Sequence, residues 1–370
     1  MAAITVEMTT QAEDSVTVTP RTIAVEHCPL CWAKGSRILF ELEDKLHGIP
    51  GKYTYRRCMS CRTVFQDPRV VADDLHLCYP SQYYTHIGLN QDSVSATETE
   101  VGSRHFKTGR DAVRDVITAA VQGGEQAWLL NFVGRALATN RDLRERAFHN
   151  HVIDELIPRT SGSSRALDVG CGAGWFTRAL KSVGWQAEGV EPDPDAARVA
   201  RRVAACHVWE GDFLRMDLPL GTYNLITLNH VFEHLDDPVQ ALRRIGELLA
   251  PGGRAVLIYP NPESLGARLY GKEWFPWEAP RHLVLPPPRA LAGAGRKAGL
   301  LAMQFRATAR SASHYFTQSR LYAKKELPKS KNAMHSFTVR LLGFIERMLV
   351  AIGFDLGEEI IAVLLKPRNA

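Results

Sequence analysis

The 370-residue chain lacks any apolar run approaching the 18 residues that a membrane span needs. Its most apolar stretch, Leu341 to Phe354, is broken by Glu346 and Arg347. The N-terminus, MAAITVEMTTQAEDS, has neither a basic first segment nor an apolar centre, so it does not read as a secretory leader. Charge of one sign is not in excess: 45 Lys and Arg against 40 Asp and Glu leave +5. That permits an anionic substrate without requiring nucleic acid, whose partners need a clustered basic footprint. No internal repeat of fixed period is present, which argues against solenoids and propellers. What remains, with 45% hydrophobic and 23% charged residues, is an ordinary globular composition for a large domain and a smaller one. A cytoplasmic location is the default expectation, and nothing in the sequence indicates the oligomeric state.

Cysteine is scarce but ordered. Of seven cysteines, Cys28, Cys31, Cys58 and Cys61 form C-x2-C-x26-C-x2-C. Each pair offers two thiolates from one tight turn, and two turns complete a closed tetrahedral Zn2+ site with no position left for water. Free buried thiols would need two coincidental pairs, and a dithiol redox pair would need a thioredoxin-like surrounding. Cys78, Cys171 and Cys206 stand alone, and Cys171 reads as a small apolar filler.

Residues 1–26 are polar and Thr-rich, which predicts a disordered tail. Residues 27–88 form the cysteine module, whose alternating runs KYTYRRC and RTVF predict small strands. Over 89–160, DAVRDVITAAVQ and QAWLLNFVGRAL place apolar residues at helical spacing, so a helical connector or cap is expected. After PRTSGSSR, residues 161–370 alternate: RALDVG, QAEGVEP, YNLITLN and RAVLIYP read as buried strands, with WFTRALKSVG, DAARVARRVA and PVQALRRIGELLA as helices between them. That pattern predicts an α/β fold, a parallel sheet with helices on both faces. LLAMQFRATA and EEIIAVLLKP are later strands, separated by a mostly helical insert at about 311–356.

The segment LDVGCGAGWF places a glycine loop between a strand and a helix. Gly170, Gly172 and Gly174 give G-x-G-x-G, whereas the dinucleotide fingerprint needs its third glycine where Trp175 stands, so close strand–helix packing is expected to be lost there. Backbone N–H groups in such a loop suit a carboxylate. Asp168 puts an acid beside the same ligand and favours a cation over a pyrophosphate. The next strand ends in Glu191, which can accept both hydroxyls of a ribose, and the third, HVWEGDF, ends in Asp212, placed for an exocyclic amine.

In this order the residues resemble the class I S-adenosylmethionine-dependent methyltransferases. The motifs that carry the resemblance are LDVGCGAG, Glu191-Pro192, Gly211-Asp212, NHVFEHLDDP, LAPGGRAVLIYPNP and EEIIAVLLKP, covering about 160–310 and the last strand. The resemblance implies a Rossmann-like seven-stranded sheet with an antiparallel last strand, S-adenosylmethionine as cofactor and S-adenosylhomocysteine as product. By the same resemblance Gly170, Gly172 and Gly174, with Asp168, Trp175 and Phe176, surround the methionyl part. Glu191 and Pro192 meet the ribose, Asp212 and Phe213 the adenine, and Asn229 and His230 line the edge of the site. Residues 27–86, CPLC through CYPSQYYTH, resemble the zinc-ribbon module that precedes many bacterial methyltransferases of small-molecule and glycan pathways.

NHVFEH also holds His230-x-x-Glu233-His234, an H-x-x-E-H spacing shared with zinc peptidases. A peptidase site needs both histidines on an established helix, and here the segment turns away from the fourth strand. In ubiquinone-pathway O-methyltransferases and small-RNA 2′-O-methyltransferases, E-x-x-E-H at this place looks like a divalent-metal site. His230 replaces the first glutamate, so one hard oxygen ligand is missing and magnesium is less suited. The plainer reading is a capped turn touching the cofactor. Base-modifying amino methyltransferases carry an Asn-Pro-Pro-Tyr-like turn after this strand, and this chain does not.

Methyl transfer is an in-line displacement governed by alignment and exclusion of water. A hydroxyl acceptor also needs a base, whereas an activated carbon or free amine needs little. His230, His234, Tyr259 and His282 are the candidates, and GKEWFPWEAPRHLVL gathers Trp274, Phe275 and Trp277 beside Glu278 and His282. Those aromatics read equally well as core or lid packing. The leading expectation is a small-molecule acceptor of natural-product or glycan biosynthesis. The alternative is RNA docked by the ribbon and Arg56, Arg57 and Arg62. Ribosomal RNA enzymes with such ribbons resemble C-x2-C…C-x3-H, however, and the second pair here is C-x2-C. A third reading, a non-methylating protein that keeps the fold, sits poorly with an intact glycine loop and three ordered acids.

Overall fold

The computed structural model describes residues 19–79, 163–325 and 336–368. The expected helical connector at 89–160 and most of the expected tail lie outside those residues.

The N-terminal part is built on two knuckles of one design. In each, the first cysteine's N–H donates to a carbonyl five residues on (Cys28 to Ala33, Cys58 to Thr63). The residue four positions on returns a bond to the cysteine carbonyl and takes a left-handed backbone, Trp32 at φ 66° and Arg62 at φ 67°. Around them run β1 (Thr22–Ile23), β2 (Ser36–Leu42), β3 (Tyr53–Cys58), β4 (Val64–Gln66) and β5 (Arg69–Val70). β2, β3 and β4 form an antiparallel meander.

The second part opens with β6 (Arg165–Val169), α1 (Trp175–Ser182), β7 (Gln186–Glu191), α2 (Pro194–Ala204) and β8 (Val208–Glu210). It continues through β9 (Tyr223–Asn229), α3 (Pro238–Leu248), β10 (Leu249–Pro260), α4 (Leu265–Tyr270), β11 (Val284–Leu285) and α5 (Pro288–Lys297). β12 (Leu301–Thr308), α6 (Ala312–Ala323), α7 (Phe337–Ala351) and β13 (Glu359–Leu365) close it. Local chemistry sets the helix starts. Asp193 and Asp237 cap α2 and α3 by accepting from Ala196 N and Gln240 N, each with proline at the first helical position.

Seven strands form one sheet in the order β12-β13-β10-β9-β6-β7-β8. β6 to β10 are mutually parallel, and β13 runs antiparallel to β10 and β12. Both faces are covered: Leu167, Leu228, Leu257 and Leu364 pack on one side, Ala166, Leu225, Ile258 and Val363 on the other. This is why the strands read as continuous apolar runs instead of alternating ones. The expected seven-stranded α/β sheet with helices on both faces is present. One strand is shorter than expected. β8 stops at Glu210 because Gly211 turns at φ 145° and Asp212 bends back to accept from Leu214 N, so Asp212 lies in the turn beyond the strand.

The cysteine module is not a separate layer. β11, from the far side of the chain, pairs with β4 to make a four-stranded sheet in the order β11-β4-β3-β2. Cys28, Leu30 and Phe65 belong to the same core cluster as Leu291 and Ala294 of α5.

Candidate active site

The loop between β6 and α1 is held by two bonds from Gly170 N and Cys171 N to Val190 O, at 2.8 and 3.0 Å. Its glycines differ in purpose. A Cβ on Gly170 would lie 2.5 Å from Val231 Cγ2, so the segment after β9 closes directly on the loop. A Cβ on Gly174 would lie 2.8 Å from Ala200 Cα, whereas one on Gly172 would meet nothing within 4 Å. The close packing expected to be lost at Trp175 is therefore kept one residue earlier, where α1 meets α2. Trp175 itself is half-exposed, and Phe176 packs on the core.

Asp168 is buried and accepts from Thr177 Oγ1 and Thr227 Oγ1, both at 2.7 Å. Burial pushes its carboxyl up to about 6 even though both hydroxyls favour the charge. Through these two bonds Asp168 ties β6, α1 and β9 together at the base of the loop. Glu191 accepts from Gly172 N at 2.8 Å and from Asp193 N at 3.1 Å, so the second acid is bonded to the open glycine of the loop. Burial raises its carboxyl. Pro192 follows it, Asp212 is half-exposed, and Phe213 is buried. A carboxylate joined to an open backbone turn, with a second carboxylate in the next turn, fits the adenosyl part of the expected cofactor.

Beyond β9 the histidines separate. His230, at φ 56°, places Nδ1 3.2 Å from Glu233 Oε1 and Nε2 3.0 Å from Glu359 Oε1. Burial disfavours its charge, but the two carboxylates outweigh burial and raise it to about 9. With both ring nitrogens facing carboxylates, the charged ring is favoured, which argues against His230 as the base. Tyr259 does not suit that role either. Its hydroxyl is buried without a hydrogen-bond partner among the described residues, and burial pushes its proton affinity up. Asn229 Oδ1 lies 3.5 Å from Arg310 Nη2, and Arg310 also pairs with Glu359.

His234 and His282 stay together, their ring centroids 4.6 Å apart. His282 Nδ1 lies 2.7 Å from Pro276 O, and His234 Nδ1 lies 3.1 Å from Arg281 O and 2.9 Å from the Tyr79 hydroxyl. A carbonyl only accepts, so both rings carry a proton on Nδ1, and in a neutral ring the lone pair then lies on Nε2. Burial and the neighbouring His282 push His234 down to about 4, so its ring is neutral. His282 Nε2 faces two carboxylates, Glu278 Oε2 at 3.6 Å and Glu233 Oε1 at 3.9 Å. Glu233 is fully buried and its Oε2 has no partner among the described residues. One ligand atom from each of Glu233, His234 and His282 falls within 4.8 Å of the others. Such converging electron pairs take up a proton or a divalent cation. The sequence spacing had grouped His230 with Glu233 and His234, and the fold puts His282 in its place. Tyr79 escaped sequence reasoning as a site residue, its only signal being its place in CYPSQYY.

At the other end, Cys28 Sγ lies 3.6 Å from Cys61 Sγ, and Cys31 Sγ 3.6 Å from Cys58 Sγ, with all four sulfurs within 4.8 Å of one another. Tetrahedral zinc with Zn–S near 2.3 Å would set its sulfurs about 3.8 Å apart, so the donor set fits a structural zinc ion.

A sequence model described as a methyltransferase domain matches residues 139–304. The chain carries a class I S-adenosylmethionine-dependent methyltransferase domain. This methyltransferase is 28% identical over 163 residues to the ubiquinone biosynthesis O-methyltransferase of Aeromonas salmonicida, covering 40% of this chain and 68% of that protein. The enzyme of the same name from Xanthomonas campestris pv. campestris is 29% identical over 120 residues, covering 30% of this chain and half of that protein. Among solved structures, a methyltransferase of Thermotoga maritima aligns with TM-score 0.40 and 20% identity over 62% of this chain and 96% of that one. Geranyl diphosphate C-methyltransferase from Streptomyces coelicolor A3(2) aligns with TM-score 0.41 and 15% identity over 60% and 77%. Among its described residues the methyltransferase has no helix long and apolar enough to cross a membrane.

Proposed function

We propose that this methyltransferase methylates an oxygen of a small-molecule acceptor, an intermediate of natural-product or glycan biosynthesis, whose proton is taken at His282. S-adenosylmethionine, when bound, supplies an electrophilic methyl group and leaves as S-adenosylhomocysteine. Glu191, Asp212 and the open turn at Gly172 hold the adenosyl part, and Gly170 keeps the loop against Val231. The observation that carries the reading is His282 Nδ1, held 2.7 Å from Pro276 O, which makes Nε2, between Glu278 and Glu233, the ring nitrogen available to exchange a proton. An acceptor hydroxyl gives its proton to that nitrogen, and the two carboxylates stabilise the resulting imidazolium. The Aeromonas and Xanthomonas relatives, both named as O-methyltransferases, support an oxygen acceptor.

The test is methyl-labelled S-adenosylmethionine incubated with the purified protein and cell extract, then separated into small molecules, RNA and protein. Label in the small-molecule fraction, lost in His282→Ala, is expected. Label in RNA would overturn the reading and make the ribbon a docking module. Transfer that survives His282→Ala would remove the base from the proposal.

A further inference from the structure

The cysteine ribbon grips one short stretch of the methyltransferase domain residue by residue. Gln66 Nε2 donates to Pro280 O at 3.3 Å, and Gln66 N to Leu283 O at 3.0 Å. Asp44 takes the Arg281 guanidinium with both oxygens, at 2.8 and 2.9 Å, and neither side chain is exposed. The buried Tyr55 hydroxyl lies 2.8 Å from His282 O and 3.0 Å from Trp277 O. Pro280, Arg281, His282 and Leu283 are thus each held by Asp44, Tyr55 or Gln66, and Leu283 N donates onward to Glu233 O at 2.7 Å. From the end of the same module, Tyr79 places its hydroxyl 2.9 Å from His234 Nδ1. The contacts converge on the two histidines and on Glu233. Among the described residues, the side-chain hydrogen bonds of Asp44, Tyr55 and Gln66 go to the ribbon itself and to this stretch, not to the glycine loop, Glu191 or Asp212.

We infer that the ribbon is the positioning half of the reaction centre: Tyr55 and Asp44 fix the His282 backbone against Glu233, Tyr79 orients the His234 ring, and the ribbon thereby sets turnover without contributing to cofactor binding. The inference rests on the proposed use of His282 and Glu233. Tyr55, Asp44 and Tyr79 act through other residues and touch no reacting atom. A buried stretch whose carbonyls at Pro280, His282 and Leu283 accept hydrogen bonds and whose Arg281 side chain is ion-paired has little freedom to carry Nε2 off line. Misplacement of a catalytic group by about 1 Å costs on the order of 10²-fold in rate.

The test uses the full chain, with turnover read as label passing from S-adenosylmethionine into the small-molecule fraction of cell extract. Tyr55→Phe and Tyr79→Phe each remove one hydroxyl, and His282→Ala serves as the reference. We expect kcat to fall roughly tenfold to a hundredfold in both tyrosine variants. The S-adenosylmethionine Kd, by calorimetry, and the far-ultraviolet circular dichroism should be those of the parent. A structural defect alone would move Kd and kcat together. The second readout is 15N NMR of histidine-labelled protein. The parent should show His282 as a single Nδ1–H tautomer, and Tyr55→Phe should average that signal while Tyr79→Phe perturbs His234 instead. Parent-like turnover in both tyrosine variants, with His282→Ala inactive, overturns the positioning role and leaves the centre intact. A parallel loss of cofactor affinity also overturns it. An active His282→Ala brings down the underlying reading instead, which separates the two failures.

Discussion

Glu346 offers a stability prediction whose sign can be worked from its surroundings. It sits on α7 with no exposed surface, and its Oε1 accepts from Glu358 N at 2.8 Å. Its Oε2 has no hydrogen-bond partner among the described residues. Close by, the Glu358 carboxylate accepts from Ser264 Oγ, Gly266 N and Trp274 Nε1. Burial, and then the charge of Glu358, raise Glu346 from 4.5 to about 10, so it is folded into the protein as the neutral acid. A group whose affinity for protons is higher folded than unfolded contributes fully below its unfolded value, and the contribution drains away as pH rises toward the folded one. Between 4.5 and pH 8 the loss amounts to about 5 kcal/mol at 1.36 kcal/mol per pH unit. Sharing the proton with Glu358, which burial raises to about 7, lowers that figure. Glu346→Gln keeps the shape and the acceptor for Glu358 N–H and needs no proton. It is expected to match the parent near pH 4 and to exceed it by about 2–5 kcal/mol at pH 8. Urea unfolding followed by circular dichroism at pH 4 to 9 measures this directly. Two stability curves running parallel across that range would refute the reasoning, because they would mean that Glu346 carries its charge in the folded protein.

Other outcomes follow from single contacts. Asp44→Ala takes the two-pronged carboxylate away from the buried Arg281 guanidinium and should cost about 3–5 kcal/mol of stability in the same unfolding assay. Gly170→Ala should weaken S-adenosylmethionine binding, because its φ of 65° disfavours a side chain and its Cβ strikes Val231. Adding Val231→Ala should recover part of that loss, as titration calorimetry would show. Glu191→Gln should reduce cofactor affinity by about tenfold, the worth of one charge-assisted hydrogen bond near 1.4 kcal/mol, and an unchanged Kd would remove Glu191 from the cofactor site. Elemental analysis should find one zinc per chain, and Cys58→Ser should abolish it.

The sheet was legible because its strands are short apolar runs separated by amphipathic helices, patterns that depend on neighbours in sequence. The glycine loop was legible for the same reason. Asp212 was displaced from its expected strand end by a local event, the turn at Gly211, which apolar periodicity does not register. Asp168 was legible as an acid beside the loop, but its anchoring role was not. The two threonines that absorb it, Thr177 and Thr227, come from α1 and β9 and become its partners only in the folded sheet. The histidines show the limit most clearly. H-x-x-E-H is a local spacing, yet Glu359 on the last strand captures His230, and His282 arrives through a stretch held by the ribbon. No window of sequence contains those partners together.

The pairing of β11 with β4 also bears on how the chain is made. The ribbon leaves the ribosome first, but the strand that completes its sheet follows much later: Val284 pairs with Phe65, so 284 − 65 = 219 residues separate them. At ordinary elongation speeds of roughly 5–20 residues per second, the edge at Val64 and Phe65 waits on the order of 10–40 seconds for its partner. Both side chains are buried in the finished protein. During that interval metal can close the knuckles, but the apolar edge stays open to any passing strand. Yield in a cell should therefore respond to chaperone supply and translation rate.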